Sequence, residues 1–185
     1  MAEAQHRLAP SRADLSESGL VGSHDGHHLR IAVVCARFNG EVTRRLLAGA
    51  LAKLEECGVP ADNRMVFWVP GSFELPLAAQ SVAHSGGFDG VICLGCVIRG
   101  ETAHFDFVAG ECAAGLQRVQ LETSVPVAFG VLTTDDLPQA LERSGGTIGN
   151  KGQEAVETVI EMVNVLRDVS VAATAMRSRD RMSRS

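Results

Sequence analysis

A histidine stands just beyond a long apolar run, and its position makes it the clearest candidate for proton transfer. His104 follows the apolar segment 90–97 after a short glycine-containing turn, where a helix is predicted to begin. Because imidazole titrates near pH 6.5, it can both donate and accept protons at neutral pH. A hydrogen-bonded structural histidine would explain the same position, so position alone leaves both interpretations open.

Two glycine-containing loops could bind an anion. In the first, Gly100-Glu101-Thr102 would place free backbone N–H groups and a hydroxyl at a helix N-terminus. The second is the glycine-rich segment between Arg143 and Lys151. It is not a Walker A loop, because its spacing is wrong and no strand precedes it. An ordinary turn in the first case, and a flexible connection with solvated charges in the second, are the alternatives.

Aromatic rings are scarce in this chain, with seven Phe, one Trp and no Tyr, yet two of them fall at predicted loop positions. Phe38 and Phe73 could stack on a planar heterocycle if their rings are exposed, or could cap the core. Glu74, next to Phe73, could accept hydrogen bonds from ligand hydroxyls or act as a helix-start carboxylate.

The cysteines indicate reduced, buried thiols and no metal site. Their number is odd, at five, and they are spread through apolar segments. Cys93 and Cys96 have the CxxC spacing, but a zinc site needs two further ligands and a redox pair should open a helix. The histidines His24, His27 and His28 could bind a metal adventitiously, but they are expected to lie in a solvated arm.

Hydrophobic patterning predicts a single α/β domain. Continuous apolar strands indicate a sheet covered on both faces, and their alternation with helices predicts parallel order with right-handed crossovers. Ligands then bind outside the carboxyl ends of the strands, where the segments described above lie. The predicted strands are 31–35, 65–69, 90–97 and 125–131, and the predicted helices are centred on 47–54, 75–83, 107–119, 135–143 and 156–163.

Composition excludes several classes of protein. The 185 residues carry 22 acidic and 17 basic side chains, for a net charge of −5, which argues against nucleic-acid binding. No apolar run approaches the roughly 18 residues of a membrane span. Without an export signal the protein is expected in the cytoplasm. We predict a flexible polar arm over 1–19, a domain over 20–170 and a flexible basic tail over 171–185. Gly19-Leu20-Val21 could form a short edge strand.

Five segments, taken in this order and spacing, resemble the motifs of the lumazine synthase family. The resemblance runs from about Leu20 to Asp168, and the combination is specific although each motif alone is weak. The segments are Arg-Phe-Asn at 37–39, Pro-Gly-Ser-Phe-Glu-Leu-Pro at 70–76, Leu-Gly-Cys-Val-Ile-Arg-Gly-Glu-Thr with the following histidine at 94–104, Phe-Gly-Val-Leu-Thr-Thr at 129–134, and Gly-Asn-Lys-Gly at 149–152.

The resemblance implies a reaction and an assembly. The family condenses 5-amino-6-(D-ribitylamino)uracil with 3,4-dihydroxy-2-butanone 4-phosphate to 6,7-dimethyl-8-ribityllumazine, the penultimate step of riboflavin biosynthesis, without cofactor or metal. Its fold is a three-layer α/β sandwich with a four-stranded parallel flavodoxin-like sheet, and its N-terminal strand adds to a neighbouring subunit. The active sites lie between subunits of a pentamer, and twelve pentamers form an icosahedral shell in some members.

The resemblance also implies roles for particular residues. His104 would shuttle protons, Phe38 would stack on the pyrimidine, and Phe129 and Arg143 would reach the site from a neighbouring subunit. The other implied substrate-binding residues are Ser72, Phe73 and Glu74 for the ribityl chain, the backbone of Cys96, Val97 and Ile98 for the uracil edge, Glu101 and Thr102 with Arg143 for the phosphate, and Lys151 as a further cation.

Departures and rival interpretations remain. Thr147 stands where many family members carry a lysine, and the polar segments at both ends extend beyond the family core. The loop between the last two helices has no insertion, which resembles the shell-forming members. A shell-forming or flavin-binding paralogue without synthase activity is the alternative function. A flavodoxin-like electron carrier would need a Ser/Thr-rich phosphate loop after the first strand, which the segment 37–40 does not supply.

Overall fold

Four apolar segments pair side by side in one parallel sheet. A computed structural model describes Leu15 and residues 19–182, with side chains as far as residue 179. The strands are β1 (Ile31–Ala36), β2 (Arg64–Val69), β3 (Gly90–Ile98) and β4 (Val127–Thr134). They lie in the order β2-β1-β3-β4, with every neighbouring pair parallel. The predicted strands are confirmed, with ends that differ by no more than three residues.

Helices cover both faces of this sheet. They are α1 (Gly40–Glu56), α2 (Leu75–His84), α3 (His104–Thr123), α4 (Leu137–Arg143) and α5 (Lys151–Met182). Single turns of 3-10 helix at Ala61–Asn63 and Ser72–Glu74 precede β2 and α2. The result is the predicted three-layer α/β sandwich, and no helix within residues 19–182 is long and apolar enough to cross a membrane.

The two cores follow from the alternation of side chains along β1. Ile31, Val33 and Cys35 point into one core, which α1 and α5 close. The residues between them, Ala32 and Val34, point into the other core, which α2 and α3 close. All six residues of β1 are fully buried, which explains why this strand is uniformly apolar in sequence. The edge strand β2 is more open, and its Trp68 remains 47% exposed.

A small antiparallel hairpin joins α4 to α5 where sequence predicted only a glycine-rich loop. Its strands are β5 (Ser144–Gly146) and β6 (Gly149–Asn150). The Asn150 amide donates to the carbonyls of Arg45 and Ser144, and its oxygen accepts from the N–H of Gly152. A Cβ on Gly152 would come within 2.2 Å of the Leu46 carbonyl oxygen, so only glycine lets α5 begin this close to α1.

Two sequence predictions concern the ends of the chain, the flexible tail and the short N-terminal strand. The predicted basic tail over 171–185 is helical as far as the structure describes it, because α5 continues unbroken to Met182. The segment from Gly19 to Val21 forms no strand within the chain. Just beyond it, Ser23 accepts a hydrogen bond from Asn164 of α5. Addition of this segment to a neighbouring sheet stays a prediction, and the arm before Gly19 lies, apart from Leu15, outside the described residues.

The buried thiols lead to a prediction about chemical labelling. Burial raises the pKa of Cys35 and Cys96 to about 11 and that of Cys112 to about 12, and it raises the pKa of Cys93 as well. Since the thiolate is the reactive form, a raised pKa leaves very little of it at pH 8. Burial raises the pKa of Cys57 too, but Cys57 is the one thiol of the five that is partly exposed, so a reagent can reach it. We expect a maleimide to label one thiol per native chain and all five after denaturation. Cys57→Ser should abolish the native labelling, and two or more fast thiols in the native protein would contradict this packing.

Candidate active site

A cleft of about 600 Å³ opens at the carboxyl ends of β1, β2 and β3. This is the edge of the sheet where parallel strands of α/β proteins bind ligands. The cleft brings together nine residues that the sequence predicted for the site. They are Phe38, Ser72, Phe73, Glu74, Cys96, Val97, Ile98, Thr102 and His104.

Phe38 is held outside the core by the backbone around it. The N–H of Phe38 donates to the Pro70 carbonyl at 3.1 Å, which continues the pairing between β1 and β2 beyond the strands. The next residue, Asn39, has a φ of 55°, so the chain turns sharply into α1. The Phe38 ring is 70% exposed, which excludes a core-capping role and leaves the ring face free to stack on a planar ligand.

The turn before α2 presents a second exposed ring. Ser72 is buried, whereas the Phe73 ring is 58% exposed and Glu74 is half-buried beside it. The turn can approach β3 because Gly95 faces it: a Cβ there would lie 2.6 Å from the Ser72 hydroxyl oxygen. Gly95 therefore sets how closely this turn packs on the central strand.

The end of β3 is open on one side. Its register with β1 stops at Leu94, four residues before Ile98, while its register with β4 continues to the end. The Cys96 carbonyl on the open side already accepts from the Asn39 amide at 2.9 Å. Backbone groups of successive residues point to opposite neighbours. The backbone groups of Val97 therefore face β4. Because the Cys96 carbonyl is already paired with Asn39, Ile98 is the best placed of the three predicted residues for backbone contact with a ligand.

His104 is the first residue of α3. Its backbone N–H donates to the Thr102 hydroxyl at 3.4 Å, and its ring is exposed to the cleft. The start of a 20-residue helix carries partial positive charge from unpaired N–H groups, which favours a bound anion. Glu101 lies in the same turn but does not line the cleft, so any contribution from it to anion binding would come through its backbone.

Other cleft-lining residues were not among the predicted site residues. Asn39 and Phe107 both line the cleft, and the Phe107 ring is 66% exposed. Phe107 stands three residues after His104, a spacing that places both on one face of a helix. That spacing was visible in sequence, whereas the contact between Asn39 and Cys96 joins residues 57 positions apart and was not.

The remaining predicted residues lie in a second cleft, of about 490 Å³, along the edge strand β4. Phe129, which is 44% exposed, lines it together with Arg143 and Lys151. The Arg143 guanidinium donates to the Gln139 carbonyl, and the Lys151 ammonium pairs with Glu154 at 2.7 Å. The two clefts share no lining residue, so within one chain Arg143 and His104 line different clefts.

Thr147, which stands where many family members carry a lysine, adds no positive charge near the second cleft. Its hydroxyl and its backbone N–H both donate to a carboxylate oxygen of Glu142. These hydrogen bonds, with a smaller contribution from Arg143, hold the pKa of Glu142 below its usual value. The cations at this cleft are therefore Arg143 and Lys151, and the Lys151 charge is paired with Glu154, which also lines the cleft.

The candidate metal and redox residues form no such site in the described part of the chain. No group of three or more His, Cys, Asp or Glu side chains is placed to hold a metal within residues 19–179. Cys93 and Cys96 are free, buried thiols inside β3. His24 contacts Glu161 and His27 contacts Asp25, on the outside of the fold.

Comparison with known proteins agrees with the motifs and the geometry. A sequence model described as 6,7-dimethyl-8-ribityllumazine synthase matches residues 28–167. A protein of Protochlamydia amoebophila (strain UWE25) with the same name is 53% identical over 142 residues, which cover 77% of this chain and 83% of the relative. Residues 168–182, the outer end of α5, lie beyond the match to the family model. By the extent of these matches, the chain belongs to the 6,7-dimethyl-8-ribityllumazine synthase family.

Proposed function

We propose that this protein condenses 5-amino-6-(D-ribitylamino)uracil with 3,4-dihydroxy-2-butanone 4-phosphate to form 6,7-dimethyl-8-ribityllumazine, with release of phosphate and water. The observation that carries the proposal is the first cleft. Its exposed Phe38 and Phe73 rings, the open end of β3 and His104 at a helix start meet in one place. No cofactor or metal is needed for this condensation.

The uracil substrate fits the half of the cleft between β1 and α2. Phe38 would stack on the pyrimidine, and the backbone at Ile98 would contact its polar edge, with Cys96 and Val97 forming the wall. Ser72, Phe73 and Glu74 would hold the ribityl chain, with the Glu74 carboxylate accepting hydrogen bonds from its hydroxyls. The Asn39 amide supports this arrangement because it fixes the Phe38 loop to Cys96.

The phosphate-bearing substrate fits the turn before α3. The Thr102 hydroxyl and the backbone N–H groups from Glu101 onward would bind the phosphate at the positive end of the helix. Arg143 would add a bidentate guanidinium contact, and Lys151 a further positive charge. Since Arg143, Lys151 and Phe129 lie in the second cleft of the same chain, they would serve the first cleft of a neighbouring subunit.

His104 would transfer protons in a reaction that is mainly one of positioning. The 5-amino group attacks the ketone carbonyl and water leaves, which gives an imine. Removal of a carbon-bound proton then expels phosphate and leaves an enol, which tautomerises to a ketone. The ribitylamino nitrogen attacks that carbonyl, and a second water leaves. Holding two small substrates together can lower the barrier by about 7–11 kcal/mol, more than a single acid–base group typically provides.

Members of this family form oligomers, and the placement of the two clefts supports a site shared between subunits. We propose a pentamer as the basic unit and twelve pentamers in an icosahedral shell, because only the short hairpin joins α4 to α5. We place the enzyme in the cytoplasm, since its five free thiols suit a reducing compartment.

The activity is tested by mixing the two substrates with purified protein and following the lumazine product by absorbance. We expect a rate well above the spontaneous condensation. His104→Ala should lower kcat by about 10²–10⁴-fold and still exceed the spontaneous rate, because positioning of the substrates persists. His84→Ala, at the far end of α2, is the control. A wild-type rate equal to the spontaneous one would favour the paralogue without synthase activity.

The shared site is tested by mixing two inactive variants. Phe38→Ala should damage the first cleft and Arg143→Ala the second, so each variant alone should lose most activity. When the two chains are co-expressed in equal amounts, random assembly leaves both halves intact in about one quarter of the sites. We expect about that fraction of wild-type activity to return. Mixtures as inactive as their parents would show that both halves come from the same chain.

The assembly is tested by light scattering of the purified protein. Sixty chains of 19.6 kDa would have a mass of about 1.2 MDa, against about 98 kDa for a single pentamer. We expect the larger particle. A variant ending at residue 167, the end of the family match, shows whether the outer part of α5 affects assembly. A wild-type mass near 98 kDa would refute the shell and leave the pentamer in place.

A further inference from the structure

Arg99 lies between the end of β3 and the turn that leads into α3. It directly follows β3, and its backbone N–H donates to the Thr134 carbonyl at 2.9 Å, which extends the pairing of β3 with β4 by one residue. Its side chain lines neither cleft. The proposed reaction therefore gives it no direct contact with substrate.

The guanidinium of Arg99 contacts three side chains from two segments. Its Nη1 lies 3.2 Å from Asp106 Oδ1, and its Nε lies 3.3 Å from Asp135 Oδ1. Its Cζ lies 4.1 Å from the centre of the Phe105 ring. Arginine can make all three contacts because its group is planar, with donors along the edge and a face that stacks on an aromatic ring. A lysine ammonium has no such face or fork.

These contacts join the beginning of α3 to the segment that leads into α4. Phe105 and Asp106 immediately follow His104 in the first turn of α3, and Phe105 lines the first cleft. Asp135 precedes Asp136, whose carboxylate accepts from the Gln139 N–H at the start of α4. Arg99 therefore links the first turn of α3, which follows the turn 100–103, to the segment before α4.

The same contacts contribute little to folding stability. The Arg99, Asp106 and Asp135 side chains are 46%, 61% and 72% exposed, and ion pairs this open to solvent are weak in water. The location of these contacts, directly beside His104 and with the Phe105 ring stacked on the guanidinium, therefore connects Arg99 to the site more than to overall stability.

We propose that Arg99 is a positioning residue that holds the turn 100–103 and the first turn of α3 in the geometry needed to bind the phosphate-bearing substrate. The inference rests on the proposed function. It also assigns Arg99 an effect on one substrate and not the other, because the pyrimidine and ribityl contacts lie on β1, β3 and the turn before α2.

The test compares steady-state kinetics of the wild type with Arg99→Gln and Arg99→Lys. We expect both variants to lower kcat/KM for the butanone phosphate by about tenfold, and to leave the KM of the ribitylaminouracil within about twofold, because misplacement affects only the phosphate turn. Arg118→Gln, an exposed arginine elsewhere on α3, is the matched control. Full activity of Arg99→Lys would overturn the proposal, since charge alone would then suffice.

A second arm separates positioning from simple charge balance. Removing Arg99 leaves Asp106 and Asp135 uncompensated, so we add Asp106→Asn and Asp135→Asn to Arg99→Gln. If Arg99 positions the turn, the triple variant stays as impaired as the single one. Recovery of wild-type kinetics would overturn the proposal in favour of charge neutralisation.

Inorganic phosphate gives a readout that does not depend on turnover. Phosphate should raise the Tm of the wild type and raise that of Arg99→Gln by clearly less, while the two proteins melt within a few degrees of each other without phosphate. An equal Tm increase in both would contradict the role of Arg99. A wild type that binds phosphate but forms no product would instead refute the proposed function, so the two failures are distinguishable.

Discussion

The overhang of β3 beyond β1 is the constraint on which the first cleft depends. β3 has nine residues, and its last four extend beyond its register with β1. A buried strand end with unpaired backbone groups is costly unless a side chain or a ligand pairs with them. Asn39 pairs with the Cys96 carbonyl. The remaining gap is the first cleft, which lies between the Phe38 loop, the turn at Ser72 and the start of α3.

Two residues let the chain pack around the overhang. Gly95 lets the turn with Ser72 and Phe73 approach β3, and the left-handed conformation of Asn39 turns the chain so that Phe38 stays outside the core. At the opposite side of α1, Asn150 and Gly152 bring α5 close to α1. Within the Gly-Asn-Lys-Gly segment, Asn150 and Gly152 thus keep α5 packed against α1, and Lys151 lines the second cleft.

Each chain carries two incomplete sites at different edges of one sheet. The first cleft has aromatic rings, a helix start and a histidine but no arginine or lysine in its lining. The second cleft has Arg143, Lys151 and an exposed Phe129. In the proposed reaction, the phosphate-bearing substrate would contact the helix start of one chain and Arg143 of its neighbour. The proposal thus gives the oligomeric assembly of this family a chemical role.

The sequence by itself determined the sheet, the three layers and nine of the residues in the first cleft. Buried parallel strands are uniformly apolar and ligand-binding loops follow their ends, which explains the prediction of the sheet and of the segments around Phe38, Phe73 and His104. Other site residues, among them Cys96 and Val97, were predicted through the resemblance to the family. Only the tertiary structure decided that Phe38 and Phe73 are exposed, since a ring in a loop can point either way. It also decided that α5 continues through residues 171–182, and that a hairpin joins α4 to α5. The contacts of Asn39 with Cys96 and of Arg99 with Asp135 join segments far apart in the chain, so no local pattern could have predicted them.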